Sequence, residues 1–497
     1  MRFDAAIVGG GISGLTCAAV LARQGWRIVL VEQAPQLAPL VRGFTRRGLY
    51  FDTGFHYAGA FGDGEILERL CRHLGLDELC ERRVASRPEG FDLVRCAEPA
   101  AEFAFPCGWD RLKAALQAAF PAQAAPLATY VADVRRIFEQ YPDALLRGDL
   151  GFSFLFQHLQ GPSLQQYLDQ AFGDQDLLKL LLAAHGVLYG GEPHEVSFAH
   201  HALIAGSYYQ SAHTLRGGGR AIADAFARRL GALGVTVRCG AAVRRVRLTS
   251  AGAVAGVELA TGEVIEAERC LVTTHPRQLL GLVPRGAFRP AFRHRVQALE
   301  DTCSGFLLYG RRPAGTPRLQ GANLLLFASA TAGLQRAASR PPRQRQRPMF
   351  LAASGDPAAG AFVAICPASW NAARRWAGPR GQGRGPGYAE WKARAMAGIA
   401  ARLQQTAGDI VGGAEFVTGA TPLTFRHYTG TPCGSLYGVK HGLGQPTLTP
   451  PTRVPNLYLS GQAVVMPGLL GAMLAGFVTC AAALGAARWQ EEMRAWR

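Results

Sequence analysis

Residues 9–14 are Gly9-Gly10-Gly11-Ile12-Ser13-Gly14, and Glu32 lies 23 residues beyond Gly9. A turn spaced G-x-G-x-x-G brings bare backbone N–H groups against a diphosphate, and a carboxylate at that distance accepts the hydroxyls of an adenosine ribose. Each glycine has its own reason. Gly9 permits the tight turn, Gly11 lets the pyrophosphate approach the backbone, and Gly14 lets the following helix pack on the strand. Gly10 and Ser13 complete the turn, and Gln33 adjoins the acid. The charge of Glu32 disfavours a 2′-phosphate, so the site predicts FAD or NAD rather than NADP.

These groups need elements to hold them. Residues 3–8 read as a short buried strand, 15–24 as an amphipathic helix stopped by Gly25, and 27–31 as a second strand ending at the acid. The helix N-terminus adds free N–H groups and positive dipole for the phosphates. In an NAD dehydrogenase another strand–helix–strand unit would follow. Here a basic loop containing Arg42 leads instead into Phe51-Asp52-Thr53-Gly54-Phe55-His56-Tyr57, a short strand and a Gly-His turn. Far downstream, residues 453–462 read as a strand ending in Ser460-Gly461-Gln462. They run through residues 466–472 into an apolar Gly/Ala-rich stretch, 469–487, close to membrane-spanning length and read as a buried helix. No second G-x-G-x-x-G sits between a strand and a helix, which argues against a built-in NAD(P)H domain.

The 9–14 turn, residues 51–57 and the segments Asn456-Leu457-Tyr458-Leu459-Ser460-Gly461-Gln462 and Gly471-Ala472-Met473 resemble the FAD-dependent phytoene desaturase, carotenoid isomerase and retinol saturase family. The last two groups are the closer match. Residues 215–222 resemble the family's Gly-Gly turn before a helix. Residues 236–246 resemble a strand pair whose Val243 backbone meets the adenine. Residues 270–276 resemble the strand that returns to the cofactor domain. The resemblance implies FAD, held non-covalently by Gly9, Gly10, Gly11, Ser13, Gly14, Glu32, Gln33, Arg42, Gly54, Val243, Gly461, Gln462, Leu470, Gly471 and Ala472. It implies an α/β fold: a discontinuous Rossmann-type FAD domain (1–85, 210–280, 421–497) with an interleaved α+β substrate domain (86–209, 281–420). The chain departs from the family at Leu40-Val41-Arg42-Gly43, where Gly-Gly is common, and at Ala463, where the saturases carry an acid. Residues 336–347 and 378–387 look like inserted surface loops.

For the reaction itself, the resemblance makes His56 the leading polar candidate, either as a proton carrier or as a structural hydrogen-bond donor. Tyr57, His427 and Tyr428 follow, the last two in a segment, 424–428, expected to cross back over the flavin. His185, His194, His200 and His201 cluster in sequence but have no Cys or acid at ligand spacing, so no metal site is expected. Helical periodicity over 110–185, the bulky run 151–156 and the stretch 177–182 suggest a cap over an apolar pocket. Residues 361–369 read as a buried strand and 388–405 as a helix.

Apolar residues make up 48% of the 497 and charged residues 18%, which excludes general disorder and fibrous classes. The net charge is +17, with only four lysines among the 53 basic residues. No zinc-finger, RNP or basic-helix signature accompanies it, so no nucleic-acid partner is expected. Eleven scattered cysteines without CxxC spacing suit a reducing cytosol. The reading is therefore a cytoplasmic flavoprotein, possible at the inner face of the membrane as a peripheral protein. It would desaturate, saturate or isomerise a lipophilic polyene and exchange electrons with oxygen, a quinone or a reductase. The alternatives are a related flavin enzyme (an amine oxidase or a reductive cyclase of a polyene polyketide) and a non-enzymatic flavin-binding or scaffold protein.

Overall fold

Phe3–Val8 lies between Ile28–Val31 and Val264–Val272 and pairs with both in parallel. Its inner residues Ala5, Ala6 and Ile7 have no exposed surface. A parallel strand covered on both faces requires such a continuous apolar run. The computed structural model describes residues 2–147, 160–313, 319, 321–331, 347–355, 359–378, 384–494 and 496. In it this first sheet is ordered Thr236–Arg238, Ile28–Val31, Phe3–Val8, Val264–Val272, Val254–Leu259, Val243–Leu248, with Leu457–Leu459 also pairing parallel to Val264–Val272.

The helix Ile12–Arg23 crosses from the first strand and packs on Gly468–Leu484, the apolar stretch near the C-terminus. The two approach closely at Gly476, where a Cβ would stand 2.7 Å from the Thr16 side chain. Gly468–Leu484 ends at Gly485, and a separate helix, Ala486–Arg494, follows. No described helix is long and apolar enough to cross a membrane.

One expected element is divided. Residues 236–246 do not pair with themselves: Thr236–Arg238 takes the open edge of Ile28–Val31, and Val243–Leu248 lies at the far end of the same sheet. The backbone between them caps the Glu32 strand end, with Gly240 N bonding Ala34 O and Ala241 N bonding Glu32 O. Those bonds turn the chain away before it can form a hairpin.

The second sheet runs Glu415–Ala420, Ser304–Arg311, Ala361–Ala368, Met349–Ala353, Asn323–Phe327, Asp92–Cys96, Ala101–Phe105. All its pairs are antiparallel except Asn323–Phe327 with Asp92–Cys96. The helix Tyr388–Val411 covers one face through Ile399, Leu403 and Ile410. Helices from residues 109 to 210 cap the other region, ending with Phe198–Gln210. Ser197 starts that last helix by accepting the His200 N–H on its hydroxyl. Nearly every side of it is buried, so its polar residues face protein or cavity rather than water. The apolar run 151–156, most of the proposed loop 336–347 and part of 378–387 lie outside the described residues.

Candidate active site

The glycine turn is built as a cradle. Gly9 takes φ +112°, and a Cβ there would stand 2.5 Å from Thr273 Oγ1. Gly14 faces the Gly9 carbonyl too closely for any side chain, while Gly11 opens onto free space. Beside the turn, Thr274 Oγ1 is enclosed and has no hydrogen-bond partner among the described residues. Glu32 is buried and accepts the Gly10 N–H at 2.6 Å and the Ala34 N–H at 2.7 Å. The C-terminal segment meets this cradle through Ser13, whose hydroxyl donates to Ala472 O at 2.7 Å. Open space before Gly11, an orphaned hydroxyl and a carboxylate held at the strand end fit a dinucleotide.

A cavity of about 430 Å³ opens beneath residues 466–471, the turn that begins the C-terminal helix. Tyr57, Leu188, Leu203, Ile204, Ser207 and Tyr208 form much of its opposite wall, and none of its described lining residues is charged. Behind it lies a buried polar set. Tyr57 Oη donates to Asp92 Oδ2 at 2.7 Å, His185 Nε2 meets the same oxygen at 3.1 Å, and Asn323 Nδ2 donates to Asp92 Oδ1 at 2.9 Å. Asp92 and His185 have no exposed surface. Burial first, and the Asp92 charge second, push the Tyr57 hydroxyl well above its ordinary range. Burial and then Asp92 also raise Tyr208. Further out, His201 Nδ1 meets Tyr189 Oη at 2.9 Å, and burial with its neighbour His185 lowers His201 to about 3.

His56 and Tyr57, successive residues, serve different cavities. His56 lines one of about 590 Å³ with Asp52 and Asn323, its Nδ1 enclosed without a partner among the described residues and its basicity lowered by burial. Tyr57 is the member of the pair that borders the 466–471 turn. Residues 424–428 fall within a helix, Pro422–Thr429, opened by a Thr421 capping box, and Tyr428 at its last turn is 62% exposed. Tyr428 and His427 line neither cavity.

Of the expected cofactor contacts, Leu470 and Gly471 line the 430 Å³ cavity. Gly461 has φ +113° beside Thr273 O, and the Gln462 carbonyl meets His441 Nε2 at 2.7 Å. Arg42 pairs with Asp224 at 2.9 Å. Gly54 abuts Leu40 O, where a Cβ would stand 2.6 Å away. Gln33 is exposed and Val243 half-buried. Sequence reasoning missed Asp92, Asn323 and Tyr208. One signal was present: Asp92 interrupts the apolar run Phe91-Asp92-Leu93-Val94, and a charge in a buried strand must be paired.

Two sheets, a glycine cradle at the end of the first and a cavity between the N-terminus of Gly468–Leu484 and the helix Phe198–Gln210 define a dinucleotide-dependent flavoprotein. Residues 12–345 match the flavin containing amine oxidoreductase family, and the chain belongs to it. FAD is its cofactor. Human all-trans-retinol 13,14-reductase is 25% identical over 97% of this chain and 85% of its own. Hydroxyneurosporene desaturase of Rubrivivax gelatinosus is 31% identical over 56% of each. These relatives bear out the resemblance to the phytoene desaturase and retinol saturase family. Cyclohexylamine oxidase from Brevibacterium oxydans shares the fold, with a TM-score of 0.59, 18% identity and coverage of 99% of this chain and 100% of that one.

Proposed function

We propose that this chain is an FAD-dependent oxidoreductase acting on carbon–carbon double bonds of a lipophilic polyene. The observation that carries the reading is the uncharged wall of the cavity beneath residues 466–471. A hydrocarbon chain gains roughly 25 cal/mol per Å² on leaving water for such a wall. An ammonium group would give up its hydration there without a counter-charge.

Two further features weigh against amine oxidation. Tyr57 and Tyr208 pack with ring centroids 4.5 Å apart at 42°, which leaves no slot for an amine between facing rings. Lys440 is engaged by Glu195 at 2.9 Å and Glu300 at 3.1 Å. The relatives matched along most of their length are reductases of retinol, and this favours hydrogen addition as the direction.

FAD, when bound, supplies the hydride chemistry. The 9–14 turn would hold the pyrophosphate and Glu32 the ribose. The free N–H groups at the start of Gly468–Leu484 would hold the electron-rich end of the ring, because no side chain caps that helix. The uncharged wall would keep water from the reacting carbons. Electrons would come from an external donor, a quinone or a reductase, or pass to oxygen. Residues 1–85, 210–280 and 421–497 would form the cofactor domain and the remainder the substrate domain, a division that each strand of the two sheets respects. Mass spectrometry of lipid-soluble pigments from cells with and without the protein tests the reading. A polyene changed by two mass units is expected, and an unchanged pigment profile counts against it.

A further inference from the structure

We propose that Tyr208 is the group that exchanges a proton with the substrate at the reacting carbons, an inference that rests on the polyene reading above. Three hydroxyl-bearing residues line the cavity beneath residues 466–471: Tyr57, Ser207 and Tyr208. Two are already spent. Tyr57 donates to Asp92 at 2.7 Å and Ser207 donates to Ile204 O at 2.7 Å. Tyr208 is half-buried at the cavity, and its Oη makes no hydrogen bond to a described residue. The described lining contains no His, Asp, Glu, Lys, Arg or Cys, so Tyr208 is the one proton-bearing group there with its proton uncommitted.

The surroundings hold it in position. The Tyr208 ring packs on Tyr57 at 4.5 Å and stacks on Phe91 at 6.4 Å and 18°. Tyr57 is itself fixed by Asp92, which His185 and Asn323 anchor from behind. Burial first, and the same carboxylate second, disfavour a charge on Tyr208 and keep it protonated at rest, the state a proton donor needs.

In the saturating direction the atoms balance as follows. Reduced FAD, when bound, would supply a hydride to one alkene carbon. The π electron pair shifts to the neighbouring carbon and forms a C–H bond with the proton of Tyr208 Oη. The double bond gains two electrons, the flavin loses two, and the tyrosinate recovers a proton from water. An external two-electron donor restores the flavin. Desaturation would use the two groups in reverse.

The test uses FAD-loaded protein, photoreduced without oxygen and mixed with an all-trans polyene alcohol, as wild type and as Tyr208→Phe. The variant should keep its FAD and should perturb the oxidised-flavin absorbance on binding the polyene as the wild type does, with Kd within about threefold. Its single-turnover rate should fall at least about tenfold, the low edge for loss of a positioned acid. In D2O the wild type should place deuterium on a single face at the protonated carbon. A variant rate equal to the wild type, or deuterium on both faces in the wild type, overturns the assignment. Failure of the wild type to turn over any polyene overturns the polyene reading and this inference with it, and that result is distinguishable from an active wild type with an equally active variant.

Discussion

Glu32 holds two backbone N–H groups in the protein itself, and on the proposed reading it also holds the ribose, so its removal should be felt as lost cofactor affinity. Charge-assisted hydrogen bonds contribute roughly 1.5–3 kcal/mol each. Glu32→Ala should therefore weaken FAD binding about ten- to a few-hundred-fold per bond. The site is remote from the reacting carbons, so saturating FAD should restore most of the rate. Fluorescence titration of apoprotein with FAD measures this, and unchanged affinity would show that Glu32 is not the ribose acid. Glu32 was legible in the sequence because its partners, Gly10 and Ala34, lie within 22 residues along one strand–turn–strand unit. The Tyr57–Asp92–His185 set was not. Its members come from separate segments, with Asp92 and His185 93 positions apart, and only the folded chain brings them together.

The helix Phe198–Gln210 carries two histidines that make stability depend on pH. Burial lowers His200 well below its ordinary value, holds His201 at about 3 and lowers His441, which stacks on His200 at 5.2 Å. The unfolded chain binds protons at these residues near 6.5, and the folded chain does not. Stability is therefore full above about pH 6.5 and falls as pH drops toward 3, by up to about 1.4 kcal/mol per pH unit for each histidine. Urea unfolding at pH 7 and 5.5 should differ by at least about 1 kcal/mol, and a flat profile contradicts the neutral-histidine assignment. At the neighbouring helix, a Cβ on Gly471 would run into the Met466 carbonyl. Gly471→Ala should displace the 466–471 turn and lower the FAD content of purified protein several-fold, whereas full occupancy would show that the turn tolerates the shift. The helix Gly468–Leu484 was visible as an apolar stretch, whereas Phe198–Gln210 was not read as an element. The direction in which His56 and Tyr57 diverge was not, because it depends on how residues 55–57 leave the strand Leu49–Phe51.

At the scale of the molecule, a net charge of +17 surrounds a cavity with an uncharged wall. A polyene dissolves in lipid, so we expect peripheral association with anionic bilayers. Vesicles containing phosphatidylserine should sediment the protein at low salt, and 0.5 M NaCl should release most of it, since screening acts within about 10 Å or less. Binding that survives both high salt and alkaline carbonate contradicts a peripheral mode. The two-sheet plan was legible at the cofactor end, where motifs are local, and much less so in the second sheet, whose strands span residues 92 to 420 and pair by long-range contact. The central claim is the chemistry at a carbon–carbon double bond. It is tested most directly by mixing photoreduced holoenzyme with stoichiometric all-trans polyene alcohol without oxygen, then following flavin absorbance and product mass together. The account predicts reoxidation of one flavin for each polyene that gains two mass units. Flavin that stays reduced with every polyene, while the oxidised enzyme is bleached by a primary amine, would contradict it.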